Sequence, residues 1–279
     1  MLSDLAGPAL AVVSAASWGA GDFCGGLASK RSPLMGVLAI SAAAGAVIVV
    51  ATALVLREPA PPPTALGWAI AAGASGAIGL AALYRGLALG RMAIVAPVSA
   101  VLCAAVPVAW GAIAEGLPPG SKLAGFALAL AGIWLVARSG TGGADGEGLV
   151  LALVAGCGFG GFLVLLHLGA SGGTFWPLAA ARATSCALVL ATALVRRRHW
   201  APARGALPLM VLCGVLDAGG NVFFLLASRL ARLDVAAVLS SMYPASTVVL
   251  AAALLRERVS RPQGAGIAAM LGAIALIAG

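Results

Sequence analysis

Charge is what this chain has least of. Only 9% of its 279 residues are Asp, Glu, Lys or Arg, where a soluble domain averages about 25%. So little charge cannot cover a surface facing water. That excludes a soluble enzyme, a nucleic-acid-binding protein and a disordered regulator. Acidic residues number 9 against 17 basic ones, a net charge of +8. The basic residues lie between apolar runs and form no patch, so no nucleic-acid partner is expected. Metal-ligand spacing is missing, as is any CxxC, and no metal or cofactor is expected. The five cysteines, Cys24, Cys103, Cys157, Cys186 and Cys213, all fall in apolar runs and read as small core residues. No basic segment precedes the first apolar run, so no signal peptide is expected. A P-loop, HExxH and GxSxG are all absent, and with them the common signatures of ATP hydrolysis and hydrolytic catalysis.

What the chain has is apolar length. Hydrophobic residues make up 62% of it and the mean hydropathy is +1.07. Dividing the chain at Pro, Gly and charge clusters gives about ten runs long enough to cross a bilayer as helices. They lie near 8–29, 33–56, 65–89, 92–114, 122–138, 149–169, 174–195, 206–229, 234–255 and 260–278. The runs are too long for barrel strands and lack alternation. This predicts an all-α integral membrane protein, multi-pass, in the cytoplasmic (inner) membrane if the source is bacterial.

The chain also repeats itself. Ala51-Thr52-Ala53-Leu54-Val55 recurs as Ala191-Thr192-Ala193-Leu194-Val195. Trp18 through Phe23 lines up with Cys157 through Phe162, and Gly73, Gly79 and Arg91 with Gly214, Gly220 and Arg232. Glu115 and Gly125 match Glu257 and Gly266 after small shifts. The near-constant offset predicts two repeats, 1–139 and 149–279, joined by a Gly-rich linker at 140–148. Five helices per repeat is an odd number, so the second copy is inverted relative to the first. Inverted repeats recur in secondary transporters, with the substrate site between them near the midplane.

Several segments resemble the EamA-domain branch of the drug/metabolite transporter superfamily. Ser240-Ser241-Met242-Tyr243-Pro244 resembles its SLYP segment, and Glu257-Arg258-Val259-Ser260-Arg261-Pro262-Gln263 through Gly266 its GERLSxxQxxG hinge. Ala96-Pro97-Val98-Ser99-Ala100 and Glu115 through Gly125 are similar to the same pieces in the first half, although Pro118-Pro119 and one extra residue alter the hinge. Trp18-Gly19 with Asp22-Phe23 resembles the first-helix signature. The resemblance implies two inverted five-helix repeats. It also implies a central cavity built from the first four helices of each repeat, with the fifth and tenth helices at the periphery. It implies no particular substrate.

Four charged residues fall well inside predicted spans: Asp22, Arg85, Arg182 and Asp217. A charge at the bilayer centre costs at least ~2.5–3.5 kcal/mol on insertion scales, so such residues pair, face water or do work. Two acids and two bases allow structural ion pairs, or a substrate and proton site in a wet cavity. In the repeat, Asp22 aligns with Gly161, Asp217 with Gly76 and Arg182 with Ala42, so the scaffold does not impose these charges. A carboxyl group in low dielectric can carry a proton as well as a charge, which proton coupling requires. Asn221 lies four residues after Asp217, on the same helix face; it extends a polar patch or makes an interhelical hydrogen bond. Ser99, Ser240 and Tyr243 lie near prolines on helices that the resemblance places against the cavity. They are substrate contacts or ordinary packing. Trp18 is cavity wall or packing. Pro97, Pro107 and Pro244 are candidate hinges. Glu115 and Glu257 read as structural partners of Lys122 and Arg258.

Two other functions compete. Gly19-Ala20-Gly21-Asp22 fits the GxGD pattern of intramembrane aspartyl proteases, with Asp217 as second acid, but the order of the two acids differs. A scaffold or receptor would tolerate neutralising Asp22. The reading that follows is a secondary transporter of a small metabolite, such as an amino acid or a related polar or amphipathic solute. It works by alternating access, with export favoured over uptake and proton coupling through the aspartates. Its expected partners are the substrate, the lipid bilayer and protons, in a monomer or homodimer. Basic residues concentrate on one set of connections, including Lys30, Arg31, Arg196, Arg197, Arg198, Arg256, Arg258 and Arg261. The positive-inside rule puts these in the cytoplasm and both termini outside. The resemblance implies cytoplasmic termini; we follow the charge count.

Overall fold

A backbone in hydrocarbon must satisfy its own hydrogen bonds, so apolar runs of this length become helices. A computed structural model describes residues 2–89, 92–137, 146–195 and 203–278. These residues form helices and short turns, with no strand among them. The first half contains α1 (Leu2–Ser29), α2 (Leu34–Val55), α3 (Pro63–Ala88), α4 (Met92–Ala114) and α5 (Gly120–Ala137). The second contains α6 (Gly146–Gly169), α7 (Phe175–Val195), α8 (Leu207–Leu230), α9 (Leu233–Ser240), α10 (Tyr243–Leu255) and α11 (Arg261–Ala278). Among the described residues, nine segments are long and apolar enough to cross a membrane, α9 and α10 counting as one. Helix α1 adds a tenth of 28 residues, made less apolar by Asp22 and its serines and glycines. The protein is a multi-pass integral membrane protein.

Some predicted boundaries move. Helix α1 starts before Pro8, because a proline near a helix start removes only one backbone bond. The predicted linker at 140–148 is shorter on its described side: α6 already begins at Gly146. Residues 140–145 of the linker lie outside the described residues, as do Arg91, Arg138 and Arg196 through His199. Helix α4 runs unbroken through Pro97 and Pro107, so neither proline interrupts it. The ninth span does break, at Ser241-Met242, and Pro244 sits in the first turn of α10. There a proline needs no backbone donor.

The two halves pack by exchanging partners. Helix α1 lies along α8, as α3 lies along α6; α2 meets α8, as α3 meets α7; α5 meets α11. Small residues set these contacts. Gly19 of α1 lies against the Tyr243 carbonyl of α10, and Gly160 of α6 against the Leu102 carbonyl of α4. Ser17 donates to the Leu216 carbonyl at 2.6 Å, and Ser75 to the Gly158 carbonyl at 2.8 Å. Both bonds run from the first half to the second and join a first to a third helix, with the donating and accepting helix positions exchanged. Gly73 and Gly214 occupy equivalent places, each against the backbone of the other half's second helix, at Ala181 and Ser41. In this register Trp18 stands opposite Phe159 and Asp22 opposite Leu163. The sequence alignment had placed both two residues earlier, at Cys157 and Gly161, because glycine-rich segments fit several registers.

Candidate functional site

A cavity of about 420 Å³ lies at the centre of these exchanged contacts. Its lining comes from α1, α2, α3, α4, α6, α7, α8 and α10, and from neither α5 nor α11. The walls are mainly apolar, with Leu38, Leu80, Leu83, Phe159, Phe162 and Val189 among them. Polar groups cluster in one region, on α1, α7 and α8. The lining extends towards the face carrying Lys30, Arg31, Arg256 and Arg258, as far as Leu83 and Leu190. In the other direction it stops at Trp18, Asn221 and Tyr243. Beyond these the packing is dense, with Leu166, Phe224, Leu225 and Leu239 fully buried.

Each cluster member is placed by its helix. Gly21 and Gly25 give α1 a flat face against α8. A side chain at Gly21 would press on the Asp217 amide, and one at Gly25 on the Cys213 sulfur. The next residue, Asp22, therefore turns into the cavity beside Asp217. No hydrogen bond or ion pair holds the Asp22 carboxylate among the described residues. Asp217 is different: its Oδ2 accepts from Arg182 Nη2 at 2.6 Å. Arg182 reaches it from α7 past Gly45, where any side chain would collide with the guanidinium. The Arg182 side chain is only 10% exposed, while that of Asp217 is 51% exposed to the cavity. Arg182 Nε is buried without a partner. Asn221 donates Nδ2 to the Asp217 carbonyl at 2.8 Å, one turn back on its own helix, so the expected interhelical bond is absent. Its Oδ1 is buried and has no donor. Trp18 stacks on Phe224 with ring centroids 6.1 Å apart and meets Tyr243 edge-on at 6.3 Å.

Six of the nine candidate contact residues thus line one cavity: Trp18, Asp22, Arg182, Asp217, Asn221 and Tyr243. Three do not. Arg85 lies in the last turn of α3, largely exposed, and pairs with Glu147 at the start of α6 at 3.2 Å. It is a helix-end residue, and its long side chain leaves the span. Ser99 is buried against Gly156 and returns its hydroxyl to the Ala96 carbonyl. Ser240 is fully buried and donates to the Ala11 carbonyl. Prolines predicted the neighbourhood of both serines but not the face. Glu115 pairs with Arg232 at 3.7 Å and not with Lys122, and no ion pair joins Glu257 to Arg258 among the described residues. The two aspartates share no hydrogen bond, unlike the proton-sharing pair of an aspartyl protease.

The sequence reading missed Glu58. From the α2–α3 connection it accepts the backbone amides of Thr174, Phe175 and Trp176 at 2.6, 2.9 and 2.8 Å, capping α7. Trp176 Nε1 donates to the Glu58 carbonyl at 2.9 Å. Nearby, Arg229 donates to the carbonyls of Ala170 and Gly173. Arg232 binds the Gly116 carbonyl and Asp234, and its hydrogen bonds to Asp234 hold its pKa above the ordinary arginine value. All of this lies on the face away from the cavity mouth.

Residues 146–279 match the EamA-like transporter family. The second half is an EamA domain. Outside it, the fold of the whole chain is also that of a solved protein. A crystal structure described only as that of a protein superposes with a TM-score of 0.79 over 97% of this chain and 95% of its own, at 18% identity. At that identity the likeness speaks for the fold alone. No curated protein matches. The EamA domain contributes Arg182, Asp217, Asn221 and Tyr243 to the cavity, and the first half supplies Trp18 and Asp22. EamA families are membrane transporters of the drug/metabolite transporter superfamily.

Proposed function

We propose that this chain is a secondary transporter in which two inverted five-helix repeats alternate access to the central cavity. It exports a small amphipathic metabolite from the basic face, in exchange for protons. One observation carries this reading: a carboxylate with no partner among the described residues, Asp22, stands in a mainly apolar cavity that reaches one face and is sealed from the other. A proton-coupled carrier needs a group that is loaded alternately by proton and by solute, and a sealed opposite face prevents leak. Around Asp22 the ionisable groups are Asp217 and Cys213 on α8, Arg182 on α7, Tyr243 on α10 and Cys24 on its own helix. Helix α2 contributes none. Asp217 is already compensated by Arg182, so Asp22 is the proton site.

The test is solute-driven proton movement in proteoliposomes carrying a pH-sensitive dye. Wild-type protein is expected to move protons when a transported solute is added. Asp22→Asn is expected to abolish that movement while leaving solute exchange at equilibrium measurable at saturating solute. Proton movement undiminished in Asp22→Asn would refute the coupling role, and absence of any flux across a broad metabolite panel would count against transport itself.

A further inference from the structure

The hydrogen-bonding inventory of the cavity is lopsided. Among the described residues Arg182 is the one cationic group in its lining, and it pairs with Asp217. Its Nε is buried without a partner. The hydroxyls of Ser41 and Ser185 are spent on the carbonyls of Leu38 and Gly73. Beyond the remaining N–H groups of that guanidinium, the neutral donors of Trp18 and Tyr243 are left. Acceptors are in surplus. Asp22 offers a whole carboxylate, Asp217 is half open to the cavity, and Asn221 Oδ1 has no donor although the residue is only 5% exposed. With two carboxylates against one guanidinium, the lining carries one uncompensated negative charge.

On the transporter reading above, we propose that the solute is a monocationic organic amine with an apolar body and without a carboxylate. An ammonium head supplies the donors that Asp22, Asp217 and Asn221 lack, and cancels the surplus charge. Trp18 and Tyr243, which bound the lining, are aromatic and attract a nearby cation. Leu80, Phe159, Phe162 and Val189 cover the apolar body. An α-amino acid would bring a carboxylate to a cavity whose only cation is already taken, and would meet Asp22 with like charge. This narrows the solute from amino acids to their decarboxylated relatives and to similar amines. A volume of about 420 Å³ suits a solute of up to drug-like size.

Binding can be tested on purified full-length protein by calorimetry, with 2-phenylethylamine, its isostere 2-phenylethanol, and phenylalanine, which adds a carboxylate to the amine. Hexylamine and tryptamine would vary the body. The amines are expected to bind, and phenylalanine and the alcohol to bind at least about tenfold more weakly. Asp22→Asn should weaken amine binding by roughly 10- to 100-fold, the usual worth of a hydrogen bond to a charged group, while Asp22→Glu retains it. Asn221→Leu should weaken the amines and leave the alcohol unchanged. Size-exclusion profiles identify variants that fail to fold, and the Glu variant keeps the comparison usable. Phenylalanine binding as tightly as the amine, or failure of every amine to bind, overturns the proposal. Amine binding without amine flux in proteoliposomes would instead refute transport and leave the amine site standing.

Discussion

Arg182 has one hydrogen-bonding partner, and losing it would leave Asp217 uncompensated at the centre of the membrane. Breaking a fully buried ion pair costs about 3–5 kcal/mol. Here Asp217 is half open to the cavity, so water screens it and the cost is smaller. Arg182→Ala is expected to destabilise the protein by about 1–3 kcal/mol, read as a lower melting temperature in detergent. Arg182→Met combined with Asp217→Leu should recover most of the loss. A single mutant as stable as wild type would mean that the pair has no structural role. Most of the site was legible at this scale because a charge inside an apolar run is conspicuous. Asp22, Arg182 and Asp217 stood out that way, and Asn221 by its spacing from Asp217. Arg85 misled because a span boundary cannot be drawn to the residue, and an arginine near a helix end snorkels outward. Ser99 and Ser240 misled because small hydroxyls bond to backbone carbonyls on any face of a helix. Which carboxylate is free and which is paired depends on Gly45 admitting the Arg182 side chain, a contact between distant helices that no local pattern records.

Helices in this fold approach each other through glycine. Gly214 of α8 faces the backbone carbonyl of Ser41, whose carbonyl carbon would lie 2.8 Å from an added Cβ. Gly73 of α3 stands equivalently against Ala181. A backbone cannot rotate away as a side chain can, so the helices must separate. Gly214→Ala and Gly73→Ala are each expected to cost about 1–3 kcal/mol. Gly26→Ala and Gly67→Ala, with nothing within 4 Å, should be tolerated. Equal melting temperatures for all four variants would overturn this account of the packing. The existence and order of the spans were readable from apolar length alone. Helix ends were less so. The Ser260–Gln263 segment is a capping box at the start of α11: Gln263 Oε1 accepts the Ser260 amide at 2.9 Å, and Ser260 Oγ accepts the Gln263 amide at 3.4 Å. That explains the hinge motif as helix initiation. The cap of α7 was hidden, because Glu58 comes from a different connection more than a hundred residues away. Pro244 marked a real break and Pro97 and Pro107 did not, because proline alone does not decide whether neighbouring helices support the interrupted turn.

The whole molecule is asymmetric across the membrane. On the closed face, Arg229 and Arg232 are tied to carbonyls and carboxylates. On the face towards which the cavity extends, Lys30, Arg31, Arg256, Arg258 and Arg261 are exposed. The closed face carries only Arg57 and Lys122 besides Arg229 and Arg232, so the positive-inside rule predicts that the cavity mouth faces the cytoplasm. The cysteines allow a direct check. Cys103, Cys186 and Cys213 line the cavity, so a membrane-impermeant thiol reagent should reach them from the mouth and not from the sealed face. In a variant retaining only Cys186, labelling is expected in inside-out vesicles and not in intact cells. Glu58→Ala should then raise labelling from the outside, because it removes the carboxylate that caps the start of α7 on the far face. Labelling of the Cys186 variant from intact cells alone would reverse the orientation. Equal labelling from both sides would mean that the far face is not sealed in the membrane, and with it would fall the idea that Glu58 belongs to the closure that must open for solute to leave.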